Sequence, residues 1–425
     1  MQLKNKISII TSSILITTVL NAEDYVRVNY LQYSESDGRI QVSAPSFELN
    51  KDLGVDYTLN VKLISDSVSG ATPIYTDSTS SASVNSSKAN IISRDNDDGE
   101  DDDDDDSISG ASSNTTPDSN SGASSKANTS SSSSVPSKNK VEMKEDRIYG
   151  DVSLTTRLEN RDEITTSFSK SRESDYDSSS FSADYLFYID SSKNRSLNIG
   201  LAYQLNEILI ENCSSSNYAC EGITSGASAK KDATNISTEL GLTQIIDDKS
   251  LGKFFIFYGK EEGYLSNPHY NVVRNYNGST ADFEKERRPD IRSSYGFNTK
   301  YIRAFTSKLS SNFRYRFYRD DWQITSHTFD INNYYEANED LILGFGLRYY
   351  KQSEAEFFSD SIYHFTDQKY ASHDDRLSAF DAKTYKTSID IKYDEELSFN
   401  LSFNLYEQST GLKATYSSVG LKYSF

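Results

Sequence analysis

Residues 315–328, YRFYRDDWQITSHT, gather side chains that could do chemistry. Two arginines and two aspartates surround the only tryptophan of the chain, Trp322, and Ser326 and His327 follow. A serine beside a histidine is the usual pair for nucleophilic hydrolysis. Whether these two side chains can meet depends on the faces of the elements that carry them, so the elements are considered first.

The N-terminus predicts a secretory signal peptide over residues 1–22. Lys4 and Lys6 precede an apolar run over 7–20, and Ala22 and Glu23 flank a suitable cleavage point. The alternative, a short membrane anchor, is disfavoured because the run is shorter than a spanning helix requires. We therefore expect an exported chain.

Composition points to a particular class of exported protein. The 425 residues carry a net charge of −19 and only 36% hydrophobic residues, yet they include 30 Tyr and 21 Phe. A disordered chain would be poor in aromatic residues. Modest hydropathy with many aromatics is typical of transmembrane β-barrels, whose strands are apolar on one face only.

The C-terminal region shows the barrel pattern most clearly. In LSFNLSFNLY (397–406), apolar and polar residues alternate over ten positions, which predicts a strand with two different faces. The chain ends on Phe425, and such an ending resembles the signal by which barrel-insertion machinery recognises its substrates. This machinery is therefore an expected partner, along with outer-membrane lipid and lipopolysaccharide.

The same alternation of apolar and polar residues, followed along the rest of the chain, predicts an all-β, transmembrane antiparallel barrel of about sixteen strands (14–18), spanning 23–425. Short turns follow the even-numbered strands, whereas the long connections, 68–146, 211–231, 263–291 and 354–380, follow odd-numbered strands. This sorting predicts short periplasmic turns, long outer loops and two periplasmic termini in the outer membrane of a Gram-negative bacterium. A soluble β-sandwich is the alternative, and it has no reason to sort its loops in this way.

The first long connection is expected to interrupt the barrel with a disordered, Ser/Asp-rich outer loop at 74–145. It contains six consecutive aspartates at 101–106 and repeats SSKAN and SGASS. Such a segment cannot bury enough apolar surface to fold. Its flexible aspartates are interpreted as a solvated spacer and not as a calcium site.

Cys213 and Cys220 lie in another predicted outer loop and are the only cysteines. Two cysteines close together in an exported chain predict one local disulfide. The same loop lacks histidine, and we expect no metal site there and no cofactor.

Several motifs resemble those of a bacterial domain-of-unknown-function family regarded as outer-membrane β-barrels. The matching segments are Ser34–Arg39, Ser69–Pro73, Glu262–Pro268, Glu286–Arg292, Asp320–His327 and Arg348–Ser353. They cover most of the mature chain outside the Ser/Asp-rich insertion, which departs from the family pattern. The resemblance implies the barrel fold and its location, and it implies no activity.

The predicted barrel strands also assign the residues of the stretch 315–328 to the two faces of the barrel. A tight hairpin would set Arg314 directly opposite Asp330, and adjacent residues such as Ser326 and His327 would point to opposite faces. His327 is therefore expected at the lipid-side rim and Trp322 near the aromatic belt. We predict a structural outer hairpin formed by Asp320, Asp321, Trp322 and His327, and no catalytic residue. The motifs GxSxG and HExxH and the nucleotide-binding signatures are absent from the sequence.

Sorting charges by face predicts a basic lumen. The residues assigned to the inward face are the bases Arg27, Lys62, Arg157, Lys300, Arg314, Arg316, Arg348, Lys386, Lys392 and Lys422, and the acids Asp151, Asp184, Glu239, Asp330 and Asp390. Basic side chains favour anions in a pore. The candidates for a constriction or lumen site are Lys300, Arg314, Arg316, Asp330 and Arg348.

The resulting hypothesis is a channel or transport pore for small solutes with a mild anion preference. Two alternatives stay open: a structural or secretion-partner barrel that docks a periplasmic or exported protein, and an outer-membrane hydrolase. Nothing in the sequence suggests a nucleic-acid partner.

Overall fold

The computed structural model describes residues 24–76, 136–214 and 217–425. Its strands are β1 (Tyr25–Glu35), β2 (Ile40–Leu53), β3 (Tyr57–Thr76), β4 (Ser137–Arg157), β5 (Glu163–Arg172), β6 (Tyr176–Tyr188), β7 (Arg195–Ile210), β8 (Ala229–Asp247), β9 (Ser250–Gly263), β10 (Asn271–Arg274), β11 (Asp282–Lys285), β12 (Ile291–Ala304), β13 (Leu309–Asp320), β14 (Thr325–Asn338), β15 (Leu341–Gln352), β16 (Phe380–Lys392), β17 (Leu397–Gln408) and β18 (Lys413–Ser424).

The helical elements of this described part are three short 3-10 turns, at Ser36–Gly38, Tyr218–Cys220 and Asp375–Leu377. No helix within the described ranges is long and apolar enough to span a membrane.

All strands except β10 and β11 belong to one closed antiparallel barrel of sixteen strands. Consecutive barrel strands are neighbours, and β1 closes the ring against β18, from Tyr25 opposite Ser424 to Glu35 opposite Ala414. Closure leaves no strand edge unpaired. The predicted fold class, an all-β antiparallel barrel of about sixteen strands, is confirmed.

The two faces of each strand follow the alternation seen in the sequence. On β17, Phe399, Leu401, Phe403 and Leu405 are exposed on the outward face, whereas Asn404 on the inward face is buried. Exposed Val, Leu, Ile, Phe and Tyr side chains recur on the outward face of the other barrel strands. An outward apolar belt around a closed barrel is the lipid-facing surface of a transmembrane barrel.

The long connections between the described strands all lie at one end of the barrel, which also carries a few short turns. Short turns, such as 339–340 between β14 and β15, define a short-turn end, where the backbone N–H of Phe425 also donates to the carbonyl of Asp24 at 2.9 Å. The long connections, including 264–290 and 353–379, define a long-loop end. The β10–β11 hairpin lies within the first of these.

The predicted disordered loop at 74–145 needs correction at both of its ends. β3 and β4 continue as a paired hairpin as far as Thr76 opposite Ser137, so residues 74–76 and 137–145 are strand. This extension is mixed in polarity and lacks the apolar–polar alternation used to find strands, because it projects beyond the apolar belt. Residues 77–135, with the acidic run, and the predicted signal peptide with Ala22 and Glu23 lie outside the described residues.

Candidate functional site: the basic row of the lumen and the loop cap

A row of charged side chains crosses five neighbouring strands on the inward face of the barrel. Lys253 on β9 lies opposite Lys300 on β12, and Lys300 lies opposite Arg314 on β13. Arg314 lies opposite Asp330 on β14, which in turn lies opposite Arg348 on β15. We call these five residues the basic row. It contains the predicted Arg314–Asp330 pair in the predicted register.

Asp330 is the acidic centre of the basic row, and its side chain is completely buried. Its Oδ2 atom lies 2.8 Å from Nε of Arg348, 3.2 Å from Nζ of Lys386 and 3.6 Å from a terminal nitrogen of Arg314. Asn332 donates to Oδ1 at 2.8 Å. One carboxylate thus orients three cationic side chains from three different strands.

Lys386 reaches Asp330 because of a glycine that sequence patterns do not single out. Gly346 on β15 lies opposite Lys386 on β16 and opposite Asn332 on β14. A Cβ atom at position 346 would lie 3.2 Å from Cβ of Lys386 and would collide with the Asn332 amide oxygen. The missing side chain leaves the space through which the lysine extends.

Arg316, next on the inward face of β13, is held against an aromatic surface. Its guanidinium carbon lies 5.0 Å from the centre of the Phe257 ring, a cation–π distance. Phe257 covers Gly296, where an added Cβ atom would lie 2.5 Å from the ring. The predicted lumen candidates therefore share one wall, formed by β9 and β12–β16.

The predicted excess of bases over the whole inward face is wrong. All fifteen predicted residues do face inward by register, but the count missed other inward charges. Counting every inward charge of the described barrel strands adds nine acids, Glu35, Glu48, Asp52, Asp66, Glu145, Glu163, Glu261, Asp320 and Glu336, and four bases, Arg147, Lys231, Lys253 and Arg292, so the inward face carries as many acids as bases. Many of them lie near strand ends, where apolar and polar residues no longer alternate regularly. Positive charge is instead concentrated on the wall that carries the basic row.

The opening stretch, 315–328, lies at the long-loop end of this wall. The Asp320 carboxylate is buried and accepts from Arg292 at 2.8 Å, from the backbone N–H of Ile324 at 2.8 Å and from the hydroxyl of Tyr318 at 3.0 Å. Asp321 is exposed in the turn. These bonds hold the short β13–β14 turn.

Trp322 was expected near the lipid interface, and this expectation is wrong. The side chain is only 4% exposed. Its indole N–H donates to the carbonyl of Ile291 at 3.0 Å, its ring meets Phe357 edge-on at 5.1 Å, and Arg292 lies 4.7 Å from its centre. The ring is drawn into the loops above the barrel because the long connection 353–379 offers apolar partners there.

Ser326 and His327 face opposite sides of β14, so they do not form a dyad. Ser326 lies opposite Tyr318 on the inward face, whereas His327 lies opposite Phe317 on the outward face. Nδ1 of His327 lies 2.9 Å from the hydroxyl of Tyr315, also on the outward face.

Three segments meet over the mouth of the barrel at the long-loop end. We call them the loop cap: residues 264–290, residues 353–379 and the extended tip of the β3–β4 hairpin. At the hairpin tip, the carbonyl of Tyr75 accepts from Asn271 at 3.0 Å, and the Tyr75 hydroxyl donates to the carbonyl of Asp360 at 3.2 Å. Lys138, on the same tip, lies 2.6 Å from the Asp360 carboxylate and 2.9 Å from the Asp375 carboxylate. The segment 264–290 follows β9, and the segment 353–379 precedes β16. Around the ring of strands, β3 is separated from β16 by four strands in one direction and from β9 by five strands in the other. These contacts therefore reach across the mouth.

The loop cap has a packed interior of its own. Arg288 donates to the buried carboxylate of Asp374 at 2.7 Å, and the hydroxyl of Ser372 donates to Glu286, which is fully buried. Cys213 and Cys220 form a disulfide in the neighbouring loop. Both cysteines pack in one apolar cluster with Tyr264, Leu265, Trp322, Ala355, Phe357, Phe358 and Leu377, among others.

Burial of His373 predicts that the loop cap loses stability in acid. Its Nδ1 contacts the carbonyl of Ser359, its ring lies 4.5 Å from that of Tyr75, and Nε2 has no hydrogen-bond partner among the described residues. Burial lowers the pKa of His373 to about 4. In the unfolded state the pKa of a histidine is about 6.5, so between pH 6.5 and 4 protons bind the unfolded state more readily than the folded cap. The stability of the cap should therefore fall across this range as the pH drops, by on the order of 3 kcal/mol.

This prediction can be checked by hydrogen exchange of residues 353–379 at pH 7 and pH 4.5. A His373→Gln variant is the matched control and should lose the part of the pH dependence that His373 contributes, whereas the part from His269, whose pKa burial lowers to about 3, should remain. An equal acid response in both proteins would contradict the assignment to His373.

Comparison with solved structures finds several that align with most of this chain at low sequence identity. The chain aligns with a mutant of the ferric enterobactin receptor PfeA from Pseudomonas aeruginosa (10% identity, TM-score 0.43, covering 92% of this chain and 54% of that one). It also aligns with the CymD monoaromatic hydrocarbon channel (8%, 0.41, covering 98% and 92%) and with a bacterial polysaccharide outer membrane secretin (6%, 0.45, covering 96% and 100%). The chain spans about half the length of the ferric enterobactin receptor, 54%. No curated protein matches it.

Among protein families, one model matches residues 11–422, which is nearly the whole chain, and its description is "Protein of unknown function (DUF3570)". This chain belongs to that family.

Proposed function

We propose that the protein is a channel of the Gram-negative outer membrane that passes small solutes with a mild preference for anions. A barrel of about sixteen strands encloses an aqueous lumen unless something fills it. The lipid-facing belt supports a membrane location, and the sorting of the loops supports placing the long-loop end outside the cell and both termini in the periplasm. Insertion through the barrel machinery, recognised at Phe425, is part of the same proposal.

The basic row is the observation that carries the anion preference. Like charges at directly opposed strand positions destabilise a sheet, yet Lys253, Lys300 and Arg314 occupy three consecutive opposed positions. An arrangement that costs folding energy is best explained by a ligand or permeant ion of opposite charge. A wall of low dielectric strengthens the field of such a row at the lumen.

Reversal potentials in a salt gradient test this proposal. Replacing Lys253, Lys300 and Arg314 with Gln should shift the reversal potential towards cation selectivity. The control replaces three inward bases away from the row, Lys62, Lys392 and Lys422, and should shift it much less. Equal shifts would show that only total charge matters, and a barrel that never conducts would refute the channel itself.

The alternative of a hydrolase gains no support from the opening stretch, because Ser326 and His327 face opposite sides of the wall. Single-channel recording also separates conduction from a purely structural or secretion-partner role.

A further inference from the structure

Four side chains form a basic patch on the outward face, at the long-loop end of β13–β16. They are Arg319, His327, Lys351 and Lys383, which we call the rim patch. Each shares its face with exposed residues of the apolar belt, such as Phe329, and Arg319, Lys351 and Lys383 are themselves exposed.

The sheet register brings these four residues together. His327 lies directly opposite Lys351. Arg319 lies opposite Thr325, which makes it a diagonal neighbour of His327, and Lys383 lies opposite Tyr349, which makes it a diagonal neighbour of Lys351. Opposed residues have Cβ atoms about 5 Å apart and diagonal ones about 7–8 Å apart. The patch is therefore continuous across four strands.

The rim patch stands at the height of lipid headgroups. Each member lies two residues beyond a lipid-facing aromatic side chain of its own strand, and these are Phe317, Phe329, Tyr349 and Tyr385. Two residues of strand correspond to about 7 Å. Because aromatic girdles mark the edge of the hydrocarbon region, the basic groups fall just outside it.

The bases of the rim patch differ from other bases on the same rim. Lys170, Lys230 and Lys260 are ion-paired with Asp177, Glu207 and Glu262.

By contrast, none of Arg319, Lys351 and Lys383 forms an ion pair with any residue that the structure describes. Asp381 and Glu407 lie opposite Lys351 and Lys383 in the register, but neither carboxylate pairs with these lysines, and Glu407 lies 3.2 Å from Lys413 instead.

We propose that the rim patch binds the phosphate groups of a phosphorylated lipid in the outer leaflet. Guanidinium and ammonium groups are the natural partners of phosphate, and basic groups beside an apolar surface fit a ligand that is anionic at one end and apolar at the other. The acyl chains would lie along the aromatic belt below the patch. This binding does not require the barrel to conduct.

The test uses the full-length barrel in phosphatidylcholine nanodiscs that contain bisphosphorylated lipid A, with retained lipid A measured by native mass spectrometry. Removing one basic charge near a membrane surface weakens binding by about fivefold. The triple variant Arg319→Gln, Lys351→Gln, Lys383→Gln should therefore retain at least about tenfold less lipid A. The matched control Lys170→Gln, Lys230→Gln, Lys260→Gln should retain as much as the native protein.

Two further arms identify the ligand chemistry. Lipid A stripped of its phosphates should bind the native barrel as weakly as intact lipid A binds the triple variant, and inorganic phosphate should not displace intact lipid A. If the triple variant fails to fold, as judged by heat-dependent gel mobility, Lys351→Gln alone should still lower retention while Lys351→Arg restores it. Equal losses in both triple variants, strong binding of the dephosphorylated lipid, or displacement by inorganic phosphate would overturn the proposal.

Discussion

Replacing Asp330 with Asn should lower the free energy of unfolding of the barrel by about 3–5 kcal/mol. The substitution keeps the shape of the side chain but removes the carboxylate shared by Arg314, Arg348 and Lys386, at 3.6, 2.8 and 3.2 Å. Removing one partner from a buried set of charges leaves the others uncompensated in a region of low dielectric. Equilibrium unfolding in urea, followed by circular dichroism in lipid vesicles, measures the loss.

Asp390→Asn is the matched control for this experiment. Asp390 is also buried and faces inward, on β16, and its carboxylate accepts a hydrogen bond from Asn400 at 2.5 Å. Asn keeps an oxygen that accepts this bond, so the substitution only replaces a charge-assisted hydrogen bond with a neutral one and should cost about 1 kcal/mol. Equal destabilisation by the two variants would show that Asp330 is not the centre of the charged wall.

Trp322→Ala should loosen the loop cap and leave the barrel closed. Truncating a buried Trp costs about 3–5 kcal/mol, and here the loss falls on the contacts with Phe357, Arg292 and the carbonyl of Ile291. Limited proteolysis should then cut within 353–379 or 264–290 while the strands stay protected. The strands should stay protected because their hydrogen-bonded ladders do not depend on the Trp322 side chain.

Trp322→Phe is the corresponding control, since it retains the ring packing and loses only the indole N–H. It should keep most of the protease resistance. If Trp322→Ala proved as resistant as the native protein, Trp322 would not hold the cap to the barrel.

The register around the basic row shows how much local pattern can predict. On β13 and β14, apolar and polar residues alternate with a period of two, and the turn that joins the strands is short. Only one register then places the polar residues of both strands on the inward face. That is why Arg314 could be placed opposite Asp330 from the sequence. The same alternation predicted the sixteen barrel strands, and the spacing of Cys213 and Cys220 predicted a local disulfide.

Long-range contacts could not be predicted in this way. Lys386 reaches Asp330 across Gly346, and neither the glycine nor the distance of 3.2 Å follows from either strand alone. The loop cap depends on partners far apart in the chain, such as Arg288 with Asp374, and its apolar residues follow no period because they pack on one another and not on a sheet. For the same reason Trp322 was assigned to the lipid interface.

By itself, then, the sequence determined the barrel, the face of each regular strand residue and the short-turn registers, because a strand repeats every two residues and a turn links neighbours. Only the tertiary structure decided the remaining features. The combined registers of five neighbouring strands extended the predicted Arg314–Asp330 pair to Lys253, Lys300 and Arg348 in one row. Folding of the loops over the mouth buried Trp322 and joined Tyr75 to Asp360 and Asn271. The loop contacts form between segments that lie far apart in the chain, so no local pattern encodes them.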